Sequence, residues 1–176
     1  MTKPVTVAPA AESAIWSVAA EAYDSDVARA LWRAYYTEVS DRWYLLHEGR
    51  VTEPAELARE IAAESGSDLS APGGVLLVAR YGGEAVGTAG VRMLDASTAE
   101  LKRVFIRQDM RGKGGAAVLL AAAEDAARAL GAGRLILDTR TDLVEARALY
   151  ARHGYEETEP LTERPYAEHW FAKMLG

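Results

Sequence analysis

Cysteine is absent from the sequence, which excludes disulfides, thiolate metal sites and any covalent mechanism through a cysteine nucleophile. Histidine is scarce. His47, His153 and His169 lie too far apart in the chain to suggest a ligand set, so no metal is expected. No G-x-S-x-G elbow offers a serine nucleophile in cysteine's place. Long apolar runs are missing too, since none approaches the roughly 20 residues that a helix needs to cross a bilayer. Met1-Thr2-Lys3-Pro4 leads into no continuous apolar segment, so no secretory signal is read and a cytoplasmic location is expected. Net positive charge is lacking as well. At −6 overall, the chain has no global basic field to draw in phosphates, which argues against nucleic-acid and anionic-membrane partners.

What is present is ordinary for a globular protein. The 176 residues, 49% hydrophobic and 26% charged, suit one domain with a substantial core. Residues 1–12, with Pro4 and Pro9 among small side chains and no clear period, read as a loose arm, leaving 13–176 as the domain. A first short strand is expected at Ala14 to Val18. Asp24, Ser25 and Asp26 supply capping side chains for a helix carrying Val27, Leu31, Ala34, Tyr35 and Val39 at helical spacing. A second helix starts near Pro54, shows Leu57 and Ile61 on one face, and stops at Ser65-Gly66.

Beyond Pro72-Gly73-Gly74 the pattern changes to strands. Val75 to Arg80 and Ala85 to Arg92 form a hairpin about Tyr81-Gly82-Gly83, and Ala99 to Ile106 follows as a third strand. An alanine-rich helix from Ala116 to Leu130, a strand from Arg134 to Thr139, a helix from Leu143 to Arg152 and a strand from Trp170 to Leu175 complete the chain. The order predicts an α/β domain with a mixed sheet.

One local basic patch stands out against the acidic background. Lys102, Arg103, Arg107, Arg111 and Lys113 crowd around Gly112, Gly114 and Gly115, with only Asp109 opposing them. A glycine-rich turn between a strand and a helix presents unpaired N–H groups and the positive end of the helix dipole, which suits a phosphate or pyrophosphate. Such turns also occur wherever an α/β chain reverses. Two nucleotide-binding patterns fail on spacing: Gly112-Lys113 is followed by Gly114 rather than Ser or Thr, and five residues separate Ile106 from Gly112, too many for a dinucleotide fingerprint.

The segment Glu100-Leu101-Lys102-Arg103-Val104-Phe105-Ile106, with Arg111-Gly112-Lys113-Gly114-Gly115-Ala116 after it, resembles the acetyl-CoA motif of the GNAT acetyltransferase superfamily, Q/R-x-x-G-x-G/A. Arg111, Gly114 and Ala116 take its defining positions. Further on, Ala146-Arg147-Ala148-Leu149-Tyr150 through Gly154-Tyr155 is similar to the family's second signature, A-x-x-L-Y-x-x-x-G-F/Y. Pro165 to Lys173 looks like the ending of many bacterial members. The chain departs from the pattern by lacking a proline near Gln108 and by carrying Leu143 where an asparagine is common.

The resemblance implies a mostly antiparallel sheet flanked by helices and splayed at the acyl-CoA site, with residues 75–175 as the acyl-CoA core and 13–70 as acceptor-side helices. It implies that Val104, Phe105 and Ile106 flank the pantetheine, Val104 and Ile106 through main-chain groups. The N–H groups from Gly112 through Lys113, Gly114, Gly115 and Ala116 to Ala117 would hold the pyrophosphate, with Arg111 and Lys113 as side-chain candidates. Acetyl-CoA is the implied cosubstrate and an amine the acceptor, with no metal. Asp138 and Glu100 are both candidate general bases; the alternative for each is a structural ion pair with Arg103 or Arg140. Tyr150 is the candidate acid for the departing thiolate. Trp32, Tyr35, Tyr36, Trp43 and Tyr44 are core or acceptor contacts, and Glu38, Asp41 and Glu48 either attract a cation or form an acidic surface. Edge-strand pairing into a homodimer is compatible with the resemblance. A silent acyl-CoA sensor is the competing function.

Overall fold

The computed structural model describes residues 15–176. The arm at 1–12 and the start of the first expected strand lie outside that range. Among the described residues, seven strands form one sheet in the order β1-β2-β3-β4-β5-β7-β6. β1 (Trp16–Glu21), β2 (Gly74–Tyr81), β3 (Glu84–Met93) and β4 (Thr98–Ile106) are antiparallel neighbours. β4 then pairs in parallel with β5 (Arg134–Thr139), and β6 (Glu156–Thr158) and β7 (His169–Met174) close the far side antiparallel. The sheet is mixed, as the element order predicts, and mostly antiparallel, as the resemblance implies.

α1 (Asp26–Glu48) begins at Ser25, whose hydroxyl accepts from the Ala28 N–H at 3.1 Å, and ends at Gly49 with φ 67°. It runs nine residues past Val39, the last position of the apolar period, and in that half only Ser40 is buried, so no continuous apolar stripe is needed there. α2 (Pro54–Ala63) has Pro54 at its first turn and a reciprocal cap between Glu53 and Glu56. α3 (Gly115–Ala129) follows β4, and α4 (Val144–Arg152) follows β5.

The two sheet faces carry separate cores, because side chains alternate along each strand. Leu77, Ala79, Ala89, Val91, Leu101, Leu135 and Leu137 pack with Leu119, Leu120, Ala123 and Ala127 of α3 and with Tyr150 of α4. Leu76 faces the other way, with Leu69, Ala28 and Trp32 of α1.

Two sequence expectations shift. The first strand lies at Trp16–Glu21 rather than Ala14–Val18, since it must register Trp16 opposite Tyr81 and Glu21 opposite Leu76. β6 was not foreseen; its three residues, Glu156-Glu157-Thr158, have no apolar alternation and become a strand only by pairing with β7.

What positions the site is the divergence of β4 from β5. Their pairing covers only Thr98–Glu100 against Arg134–Ile136. Beyond it, β4 carries a bulge where the register with β3 shifts between Thr88 and Gly90, and Arg103 adopts φ 53°. An extra residue in one strand bends it and increases its twist. The strands therefore part, and among the described residues no strand pairs with β4's β5-facing edge from Leu101 onward.

Candidate active site

The glycine turn stands at the open end of that gap. Gly112 and Gly114 adopt φ 78° and 82°, which glycine reaches without steric cost. No acceptor among the described residues takes the backbone N–H groups of residues 112–117. Unpaired donors at the start of a 15-residue helix can cradle an anion. The cradle is fixed from behind by Trp16, whose indole N–H donates to the Lys113 carbonyl at 2.8 Å. The ring lies so close to Gly115 that a Cβ there would come within 2.3 Å of it.

On β4, the Arg107 N–H donates to the Val86 carbonyl at 2.8 Å. By alternation, the Ile106 and Val104 main-chain groups face away from β3 and into the gap. Ile106 is not entirely free: its carbonyl accepts from Arg111 Nε at 2.9 Å. The rest of the Arg111 guanidinium forms a two-point pair with Glu38 of α1, at 2.7 and 2.6 Å. Lys113 Nζ lies 5.6 Å from the centre of the Tyr81 ring.

A cleft of about 810 Å³ joins the two halves of the site. On the turn side Val104, Phe105, Ile106, Arg111, Gly112 and Ala116 line it; Lys113, Gly114, Gly115 and Ala117 do not. Tyr150 and Asp138 also line it, with Tyr35 and Tyr36 from α1 opposite. Tyr150 is 6% exposed and packs edge-on against Tyr155 at 5.7 Å. Its hydroxyl has no hydrogen-bond partner among the described residues, and burial pushes its pKa up, with Tyr35, Tyr155 and Asp138 acting in the same direction. Tyr150 is held as a protonated donor across the neutral range.

The two candidate carboxylates differ in access. Glu100 is 1% exposed and does not line the cleft. Arg92 Nε donates to its Oε1 at 2.9 Å, while Arg164 Nη1 sits 2.8 Å from Oε2 but off the axis of a hydrogen bond. Asp138 faces the cleft, and its Oδ2 accepts from the same Arg164 Nη1 at 2.7 Å. Burial raises the Asp138 pKa, and Arg164 offsets that only in part.

Both acids are thus ion-paired, but not to the arginines that sequence proximity suggests. Arg140 instead grips Asp142 at 2.9 and 3.0 Å. Arg103 stacks on Trp32 at 4.2 Å and donates to the Glu64 carbonyl. Arg164, on the connection between β6 and β7, is the site residue that sequence reasoning missed. It stands two residues before Tyr166 in a stretch without periodicity, and only the return of β7 alongside β5 brings it to Asp138.

Of the acidic candidates on α1, only Glu38 reaches the cleft. Asp41 accepts from the Thr52 N–H, and Glu48 pairs with Arg50. One turn beyond Glu38, Arg42 pairs with Glu145 at the start of α4 and donates to the Asp142 carbonyl at 2.6 Å. Helix α1 therefore joins both lips of the gap, through Glu38 on the β4 side and Arg42 on the β5 side. Trp43 stacks on His47 and meets Tyr166, away from the cleft. His169 contacts Glu157 and Thr141.

The acetyltransferase (GNAT) family model matches residues 25–155. Among curated proteins, the chain is 38% identical over 93 residues to the uncharacterized N-acetyltransferase YjgM of Escherichia coli, covering 51% of this chain and 56% of that protein. The chain spans little more than half the length of the curated relatives it matches. Among solved structures, the PaiA N-acetyltransferase of Thermoplasma acidophilum in complex with coenzyme A superposes with TM-score 0.69 at 14% identity, over 91% of this chain and 99% of that one. A GNAT acetyltransferase of Elizabethkingia anophelis with acetyl-CoA bound gives TM-score 0.58 at 16% identity, over 91% and 98%.

Proposed function

Since the chain belongs to the GNAT acetyltransferase family, we propose that it transfers the acetyl group of acetyl-CoA directly to a primary amine within a ternary complex. The observation that carries this reading is the row of unpaired N–H groups at 112–117 beside the unpaired edge of β4, with Tyr150 lining the same cleft. The two relatives of this fold that hold coenzyme A and acetyl-CoA support the donor. In this reading the pyrophosphate rests on residues 112–117, and the pantetheine lies along Val104, Phe105 and Ile106 like an added strand. Residues 75–175 form the donor core, and α1 and α2 wall the acceptor.

An amine with a pKa near ~10.4 must shed a proton before it can attack. Asp138, on the cleft wall and with its pKa raised by burial, takes that proton, directly or through water. The amine lone pair attacks the thioester carbonyl carbon and a C–N bond forms. The C–S bond then breaks, its electron pair leaving on sulfur, and the Tyr150 hydroxyl protonates the thiolate. The nitrogen, still carrying a second proton after attack, gives it to the Tyr150 phenolate as the amide forms, and Asp138 releases its own to solvent. Glu100, sealed from the cleft, orients Arg92 and Arg164 rather than acting as the base.

Thiol release from acetyl-CoA with a panel of amines, beside calorimetric CoA binding, tests the proposal. Turnover on an amine that Tyr150→Phe slows supports it. CoA binding without turnover on any amine would make the chain a binding module, and failure to bind CoA would remove both readings.

A further inference from the structure

Along the acceptor half of the cleft, six charged groups alternate in sign. Lys102 Nζ lies 3.4 Å from Asp68, Asp68 2.9 Å from Arg92, Arg92 2.9 Å from Glu100, Glu100 2.8 Å from Arg164, and Arg164 2.7 Å from Asp138. Three cations balance three anions, so this wall has no net field for a polycation. Each interior member has a neighbour of opposite sign on both sides. Asp138, the end of the row on the cleft wall, has only one among the described residues.

Arg164 is also incompletely used. Its Nη1 serves both carboxylates, while Nη2 and Nε donate to nothing among the described residues. The side chain is 32% exposed, and the Trp170 ring lies 5.5 Å from its guanidinium carbon. The site therefore presents, side by side, a carboxylate able to hold an ammonium and a guanidinium with spare donors. Arginine with two free N–H groups matches a carboxylate in the two-point geometry that a lysine cannot give.

Resting on the transferase reading above, we infer that the acceptor is a zwitterion of the α-amino-acid class, its amine at Asp138 and its carboxylate on Arg164. The ammonium and carboxylate of such a molecule are borne on one carbon, and the groups that would receive them are likewise in contact, Arg164 Nη1 lying 2.7 Å from Asp138 Oδ2. Binding leaves the charge balance of the wall unchanged. A simple amine adds one uncompensated positive charge, and an amide leaves the guanidinium donors with only a neutral oxygen.

Initial rates of thiol release from acetyl-CoA are to be compared across matched sets: an L-amino acid, its α-carboxamide and its decarboxylated amine, with apolar, aromatic, acidic and basic side chains. The free amino acid of at least one set should exceed both analogues in kcat/KM by about 100-fold, the scale of the penalty for leaving a polar group without its partner. Arg164→Ala should collapse that ratio, chiefly by raising KM for the amino acid, and Arg164→Lys should restore part of it. Calorimetric CoA binding reports whether each variant folds; if Arg164→Ala does not, Arg164→Lys and Arg164→Gln carry the comparison. Equal rates on carboxylate-free amines overturn the inference and leave the transferase intact. Faster turnover of simple amines by Arg164→Ala, without loss on amino acids, also overturns it and makes Arg164 a plug on Asp138. CoA binding with no turnover in any set removes the transferase reading and this one with it.

Discussion

The indole N–H of Trp16 donates to the main-chain carbonyl of Lys113 at 2.8 Å, joining residues 97 apart in sequence. This bond turns the carbonyl of the glycine loop backward, so that the neighbouring N–H groups are left for a ligand. Trp16→Phe keeps the ring and removes the donor. The loss of one hydrogen bond, about 1 kcal/mol, should weaken CoA binding by up to about tenfold by calorimetry. Unchanged affinity would show that the loop holds its shape without Trp16.

Gly115 tests the same packing from the other side. A methyl group there would sit 2.3 Å from the Trp16 ring, so Gly115→Ala must push the indole aside. Overpacking of this kind costs about 1–3 kcal/mol, expected as a lower urea midpoint together with weaker CoA binding.

Arg111 is bound to Glu38 at 2.6 and 2.7 Å, which occupies two of its nitrogens. Glu38→Gln removes the charge that competes with a pyrophosphate for this guanidinium. CoA affinity should rise several-fold and become more dependent on ionic strength. If neither changes, the Arg111 side chain takes no part in donor binding.

Tyr150→Phe should reduce kcat by about 10²-fold or more, the usual scale for a positioned proton donor, with the CoA dissociation constant nearly unchanged. Because burial raises the pKa of this phenol, the wild-type rate should show no alkaline decline from Tyr150 below its ordinary value of about 10. An equal loss in kcat and CoA affinity would mark it as packing.

Asp138 gives a pH signature with a definite sign. Its folded pKa is raised by burial, partly offset by Arg164, so the folded state holds this proton more tightly than the unfolded chain. Stability from this group is complete below the ordinary carboxylate value and is lost as pH rises through the raised one. Asp138→Asn should flatten that fall in urea midpoints and also abolish the acidic limb of kcat/KM. A wild-type profile whose acidic limb survives in the variant would place the base elsewhere.

The glycine turn that we propose for the donor was legible in the sequence because its geometry is local. Arg111, Gly114 and Ala116 stand within one turn, and the need for positive φ at Gly112 and Gly114 is a property of the backbone there. The α-helix and strand order was legible for the same reason, since capping by Ser25 and Pro54 and the apolar period depend on near neighbours. β6 was not, because Glu156-Glu157-Thr158 has no strand pattern of its own.

What the sequence by itself determined, then, is a glycine turn between a strand and a helix, in a pattern that resembles an acyl-CoA motif, and a tyrosine on a later helix. Only the tertiary structure decided that β4 and β5 part beyond Glu100, that Trp16 braces the turn and that Arg164 joins Glu100 to Asp138. Those are contacts across long loops. A cap or a glycine turn is selected by energies between adjacent residues, whereas an ion pair between Arg164 and Asp138 exists only after β7 has paired with β5. No local preference encodes that partner, so the acceptor half of the site emerges with the fold.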